Sequence, residues 1–230
     1  MFKRLLWKEW RENQWKLVFG TAVSLAFTAL LFRIRLFPDA ANAFVISLVQ
    51  MLVLPIVYAL DIFSGEISGR TIHLLFKFPV QRWKIFFSKY IVCMLEISLI
   101  FAATGGLMEA MGQGREADAG FLFRHSMLLG FASLMVFSWF CVFAAQSRSE
   151  AGSLVAVFGV MIGWGIVFFW AEMCQGYWAA HFVPYTFIVW VESSNHTGHC
   201  LSQLIASQIA AFLLTVCLAC WRFVKVRRYL

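Results

Sequence analysis

Charge is scarce in this chain. Charged residues fill only 13% of its 230 positions, against roughly 25% in an ordinary soluble domain. A surface kept in solution by its own charges is therefore excluded. No linker, low-complexity tract or internal repeat divides the sequence, so residues 1–230 read as one domain. The six cysteines lie mostly inside apolar runs, where a thiol packs as a small hydrophobe, and their spacing is not that of a small-domain disulfide framework. Two signatures of chemistry are also missing. There is no G-x-x-x-x-G-K-[ST], hence no loop to cradle a phosphate. There is no G-x-S-x-G either, and His73 and His125 fall at the edges of apolar runs, which leaves a serine hydrolase without its nucleophile and base. No catalytic residue, and no cofactor bound by this chain, is expected.

What the chain has instead is apolar length. Apolar residues make up 61% of it, above the usual share of about 45–50%, and they are gathered into uncharged runs. A bilayer core needs about 20 apolar residues per helix. Ala40–Leu60, Ile91–Met108 (interrupted by Glu96), Ser126–Ala145, Ala151–Ala171 and Leu201–Trp221 meet or nearly meet that length. Leu17–Phe32 is shorter, but Arg33 and Arg35 can snorkel, so it counts as a sixth span. The polar N-terminal leader is long and no small-residue cleavage site follows the first run, which argues against a signal peptide. Residues 2–16 place Phe2, Leu5, Leu6 and Trp10 on one side of a helix and most of the basic residues elsewhere. That pattern predicts an interfacial elbow helix before the chain turns into the first span; a plain positive anchor for topology is the compatible, simpler reading.

The net charge of +7 is explained by where the basic residues fall, not by nucleic acid. With the N-terminus in the cytosol, the inner segments hold fifteen Lys and Arg, from Lys3 to Arg228. The outer loops hold four, namely Arg33, Arg35, Arg115 and Arg124. The positive-inside rule then puts both termini in the cytosol of an integral membrane protein. Trp7, Trp10, Trp15, Trp83 and Trp221 sit near the inner interface in this topology, and Trp170, Trp178 and Trp190 near the outer one.

The segment Gly65–Lys89, between the second and third runs, carries more pattern than a connector needs. It is basic, keeps Ile72, Leu75 and Phe76 on one helical face, stops at Pro79 and restarts at Val80-Gln81-Arg82-Trp83. An apolar stripe outside the membrane needs a surface to bury it, and a soluble protein on the cytosolic side fits best. A loop that only enforces orientation would not need the stripe. Glu66 and Arg70, four residues apart, suit either a helix-surface ion pair or contact with that protein.

Together, the N-terminal LLWKEWRE, the six runs and the inner loop make the chain resemble the ABC-2-type permease family, the transmembrane subunits of ABC transporters. The positions that carry the resemblance are Gly65, Glu66, Thr71, Ile72, Leu74, Leu75, Pro79, Val80, Arg82, Trp83, Ile85 and Lys89; Arg70 and Gln81 depart from the usual glycine and hydroxyl residue. The resemblance implies an all-α membrane protein with six transmembrane helices, an N-terminal interfacial elbow, a cytosolic coupling helix at Thr71–Phe78 and a re-entrant outer hairpin. It implies an exporter whose active form is a dimer of permeases, identical or homologous. That dimer would carry two copies of an ABC ATPase subunit that binds the ATP and Mg. Glu66, Arg70, Thr71, Ile72, Leu75, Phe76, Pro79 and Arg82 would make the ATPase contact. The resemblance also implies a bacterial inner membrane.

Other residues carry narrower expectations. Asp61 and Glu96 are acids at or inside the membrane, where acids are functional candidates. Near the inner interface Lys89 or Arg148 would neutralise them, and that pairing is the simpler reading. Glu109–Phe123 reads as a plain outer connector. The last outer segment, Glu172–Cys200, is too apolar for a solvated loop; with Tyr177, Trp178 and Trp190, and a break at Pro184, it predicts a hairpin dipping back into the outer leaflet as a gate. Cys174, His181, His196, His199 and Cys200 fall there too, but their spacing matches no standard site. A Cys174–Cys200 disulfide or free thiols is the expectation, and no metal; a metal or ion carrier using His196, His199 and Cys200 is the minor alternative. Cys217 and Cys220 read as helix packing. A non-transporting membrane anchor or sensor that recruits a cytosolic protein through the same loop is the alternative function.

Overall fold

The computed structural model describes residues 2–34, 38–59, 81–112, 120–144, 150–173 and 198–225. They form six helices: α1 (Phe2–Ile34), α2 (Asp39–Ala59), α3 (Arg82–Gly112), α4 (Phe121–Ala144), α5 (Glu150–Met173) and α6 (Gly198–Lys225). Among the described residues there is no strand. Five of the helices, all but α5, are long and apolar enough to cross a membrane. The apolar stretch of α5 is shorter among those residues, Leu154–Val167. Two compact units account for the packing, Met1–Tyr58 with Lys84–Leu134, and Ala59–Trp83 with Met135–Leu230.

One difference from expectation lies in α1. An elbow over 2–16 was expected to turn into a span at 17, yet one helix runs for 33 residues without a break. Sharp kinks need a proline, a glycine pair or an inserted side chain, and Phe2–Ile34 holds no proline and a single glycine, Gly20. Polar residues near the expected turn support the helix instead. The Asn13 side-chain amide donates to the Glu9 carbonyl at 3.0 Å, Lys16 Nζ donates to Asn13 Oδ1 at 2.7 Å, and Lys8 pairs with Glu12 one turn on at 3.5 Å.

The polarity of α1 is inverted relative to a helix of a soluble protein. Its buried residues are Glu9, Asn13, Ser24, Thr28 and Phe32, while Trp15 and Phe19 are each 73% exposed and Val23 and Leu30 more than half exposed. Such an arrangement is costly in water and suits lipid, where hydrocarbon receives the outer face and polar groups turn inward. The Thr28 hydroxyl returns to the Ser24 carbonyl at 2.8 Å, and Thr104 on α3 does the same with Ile100.

In the first unit α3 is the central helix, burying Phe86, Tyr90, Cys93, Ile97, Ile100, Phe101 and Met108 along its length. Helices α3 and α4 approach closely because glycine faces them. An added Cβ at Gly105 would lie 2.9 Å from Ser126, one at Gly130 3.0 Å from the Phe101 ring, and one at Gly112 2.5 Å from Leu122. Close contact lets Ser126 Oγ donate to the Phe101 carbonyl at 3.0 Å. Lipid tails are as apolar as leucine, so van der Waals fit and hydrogen bonds replace the hydrophobic drive between such helices.

The end of this unit formed by the α1 C-terminus is closed by Phe32, Ala43, Ile46, Met108 and Leu122. There the carboxylate of Glu109 caps α4, accepting from Gly120 N at 2.7 Å and Phe123 N at 3.4 Å. An acid at a helix N-terminus answers both the free N–H groups and the helix dipole. Gly120 takes φ +83°, a left-handed turn that favours glycine. The connector read as plain therefore begins and ends on a specific contact. At α2 the Pro38 carbonyl accepts from Asn42 N at 3.0 Å, and Asp39 stands in the first turn.

In the second unit the last part of α4 buries Phe137, Phe140 and Cys141, and α6 buries Leu204, Val216, Ala219 and Phe223. Helix α5 leaves Val155, Ile162, Ile166 and Phe169 mostly exposed. Helix α6 satisfies Thr215 on the Ala211 carbonyl and Ser207 on the Leu204 carbonyl. At its C-terminus Arg222 and Lys225 flank the Trp221 ring at 5.6 and 4.5 Å from the centroid, basic residues placed where the helix dipole is negative.

The glycine contacts give a paired test. Gly105→Leu or Gly130→Leu, which force a side chain into a neighbour, should destabilise the fold by about 1–3 kcal/mol. Gly106→Leu should be neutral, since nothing lies within 4 Å of a Cβ there. Thermal unfolding of the detergent-solubilised chain measures all three, and equal effects at 105 and 106 would refute the close-packing account.

Candidate functional site

The most chemically loaded region described is a buried cluster in the first unit, built by three helices. Helix α1 supplies Glu9, Asn13 and Lys16, spaced four and three apart and so on one face. Helix α3 supplies Lys89, Cys93 and Glu96 at the same spacing, and α2 supplies Tyr58, one residue from its end. Their common face is what joins the three helices.

Its centre is an ion pair. Lys89 Nζ donates to Glu9 Oε2 at 3.0 Å, and each residue is only 3% exposed. Glu9 also lies 4.0 Å from the exposed Lys8. Burying two charges is tolerable only when they meet in good geometry, and removing one strands the other. Asn13 fixes the neighbouring turn of α1 and holds the Lys16 ammonium through its own side-chain oxygen.

Glu96 is the second centre. It is fully buried, and neither carboxyl oxygen closes a hydrogen bond. The Tyr58 hydroxyl faces it without completing one of ordinary geometry, and Lys16 is the cation it senses across the helices. Sequence reading offered Lys89 or Arg148 as its neutralising partner. That expectation is corrected for Lys89, whose close ion partner is Glu9; Arg148 lies outside the described residues. An acid with spare acceptor capacity in a dry setting takes up a proton or draws a donor. Further along α2 and α3, Gln50 Nε2 donates to Thr104 Oγ1 at 3.0 Å, so polar contacts continue along the helices.

Of the other sequence candidates, Arg82 is described. Its guanidinium donates to the Val224 carbonyl at 3.3 Å, meeting one of the last carbonyls of α6. Asp61, Glu66, Arg70, Thr71, Ile72, Leu75, Phe76 and Pro79 lie outside the described residues. So do Tyr177, Trp178, Pro184, Trp190 and His196, and with them the expected coupling helix and outer hairpin. His199 and Cys200 fall in the first turn of α6, their side chains outside the description. Among the described residues no group of three His, Cys, Asp or Glu is placed to hold a metal, and Cys93, Cys141, Cys217 and Cys220 are not joined in disulfides.

Sequence reading missed Glu9, Asn13 and Gln50. The available signal was the spacing of Glu9, Asn13, Ser24 and Thr28, a polar line on one face of a helix that is otherwise apolar. Comparison with known protein families and with characterised proteins finds no match for this chain.

Breaking the central pair from either side should be expensive. Glu9→Gln or Lys89→Met should each destabilise the chain by about 3–5 kcal/mol. The double variant Glu9→Gln, Lys89→Met should cost clearly less than the sum. Thermal unfolding of the four proteins checks this, and additive losses would mean the two side chains act independently.

Proposed function

We propose that this chain is the permease subunit of an ATP-driven exporter, a membrane protein that forms the translocation path and borrows ATP hydrolysis from a separate subunit. The observation that carries this reading is the sequence Gly65–Lys89, a basic segment with an apolar stripe at helical spacing that follows α2 and runs into the start of α3. The twelve positions that resemble the ABC-2-type permeases fall in it. Two further features support it. The helices present apolar faces outward and polar groups inward, as lipid demands, and the sequence has no phosphate-binding loop of its own.

In this reading α5 completes a set of six spans, both termini lie in the cytosol, and two permeases carry two ATPase subunits. ATP closes the ATPase pair, Thr71–Phe78 passes the motion to the membrane helices, and the apolar segment Glu172–Cys200 closes the outer side. Glu96, with no hydrogen-bonded donor, is the described residue best suited to handle a proton or a polar group of the cargo.

Replacing Leu75 and Phe76 together by Asp removes the apolar stripe without touching a span. The double variant should insert normally and lose co-purification of the soluble ATPase expressed with it. Unchanged co-purification would overturn the coupling role. Stimulation of ATPase activity by cargo in the reconstituted complex separates an exporter from a membrane anchor that merely recruits the same protein.

A further inference from the structure

A groove lies between α1 and α2 within the first unit. Its volume is about 380 Å³, toward the lower end of the roughly 300–1,000 Å³ of ligand pockets. Phe19, Val23 and Phe27 form one wall, and Val49, Val53 and Val57 the other. The helices run antiparallel here, so Lys16 and Tyr58 stand together at one end.

Two features distinguish this groove from a crevice that any hydrocarbon tail would fill. First, its only charged lining residue is Lys16, set at the end where the apolar run of α1 begins. Secondly, the length fits one leaflet. From Lys16 to Phe27 the helix rises by about 16 Å at 1.5 Å per residue, and half of a bilayer core is about 15 Å.

We propose that this groove binds an anionic phospholipid of the surrounding bilayer, with one acyl chain between α1 and α2 and the phosphate held by Lys16. Asn13 Oδ1 accepts from the Lys16 ammonium and so fixes its position. The acyl chain lies along the valines of α2, whose half-exposed side chains would otherwise face lipid without order. Lys16 also feels the acids Glu96 and Glu9, so its charge is partly compensated and the preference for an anionic head is moderate. The proposal goes beyond the exporter reading and stands without it, because it uses no contact with an ATPase.

The test is lipid titration of the full-length, delipidated chain in detergent, followed by native mass spectrometry. Phosphatidylglycerol and phosphatidylcholine with identical acyl chains are the probes. The wild-type chain should bind one phosphatidylglycerol about tenfold more tightly than phosphatidylcholine. Lys16→Gln should abolish that preference and Lys16→Arg should keep it. Val53→Trp, which fills the groove from a half-exposed position, should remove the tight site for both lipids. The proposal is overturned if Lys16→Gln leaves the ratio unchanged, or if Val53→Trp leaves the first bound lipid in place. Should Lys16→Gln fail to fold, the Lys16→Arg and Val53→Trp proteins still decide between a built site and ordinary annular lipid.

Discussion

The contact between Glu9 and Lys89 fixes how the first unit is assembled. Two charges at 3% exposure are stable only while they hold each other, so the rotation of α1 and that of α3 about their axes are set together. Once Glu9 faces α3, the helical repeat carries Asn13, Ser24 and Thr28 inward and leaves Trp7, Trp15, Phe19 and Val23 outside. On α3 the same constraint places Cys93, Glu96 and Ile100 in the interior. Rotating α1 by a quarter turn would strand the carboxylate and turn tryptophan into the bundle. The outward apolar faces are thus partly a consequence of one buried pair.

The two ends of this unit are held by different forces. Around Glu9, Lys16, Lys89 and Glu96 the helices are joined by charge and hydrogen bonds. Near Gly105, Gly112 and Gly130 they are joined by close approach, and the hydrogen bond from Ser126 to the Phe101 carbonyl depends on it. Both suit a bilayer, where apolar association between helices gains little over apolar contact with lipid. They differ in tolerance. A glycine contact fails by steric overlap, whereas the polar end fails when a single partner is removed. Water-filled space or a bound head group is accommodated more readily at the polar end, which is also where the α1–α2 groove begins.

Helix positions were legible in the sequence because uncharged length is a direct physical requirement of a bilayer. In their described residues, the runs at 40–60, 91–108, 126–145, 151–171 and 201–221 fall on observed helices. The first helix was legible only in part. The amphipathic pattern over residues 2–16 suggested an interfacial helix separate from the span, but helix continuity depends on the absence of a breaker, and none stands near residue 16. The partner of Lys89 was not legible. Glu9 is 80 residues away, and nothing local distinguishes a carboxylate that pairs from one that faces water. Arg82 shows the converse: the motif marked it for contact with another protein, while its observed contact with Val224 depends on α6, 142 residues on. The expected coupling helix and outer hairpin lie outside the described residues and rest on sequence pattern alone.

Chain connectivity ties the polar cluster to the proposed coupling role. Helix α2 ends at Ala59, next to Tyr58, and α3 enters the first unit at Lys84, little more than one turn before Lys89. The segment 60–80 is therefore joined at both of its ends to helices that carry cluster residues. If Thr71–Phe78 transmits force, the force reaches α3 close to the ion pair, and the ion pair passes it to α1. On α2 it arrives at Tyr58, which faces Glu96. A displacement of α2 against α3 would change the separation of this hydroxyl and carboxyl.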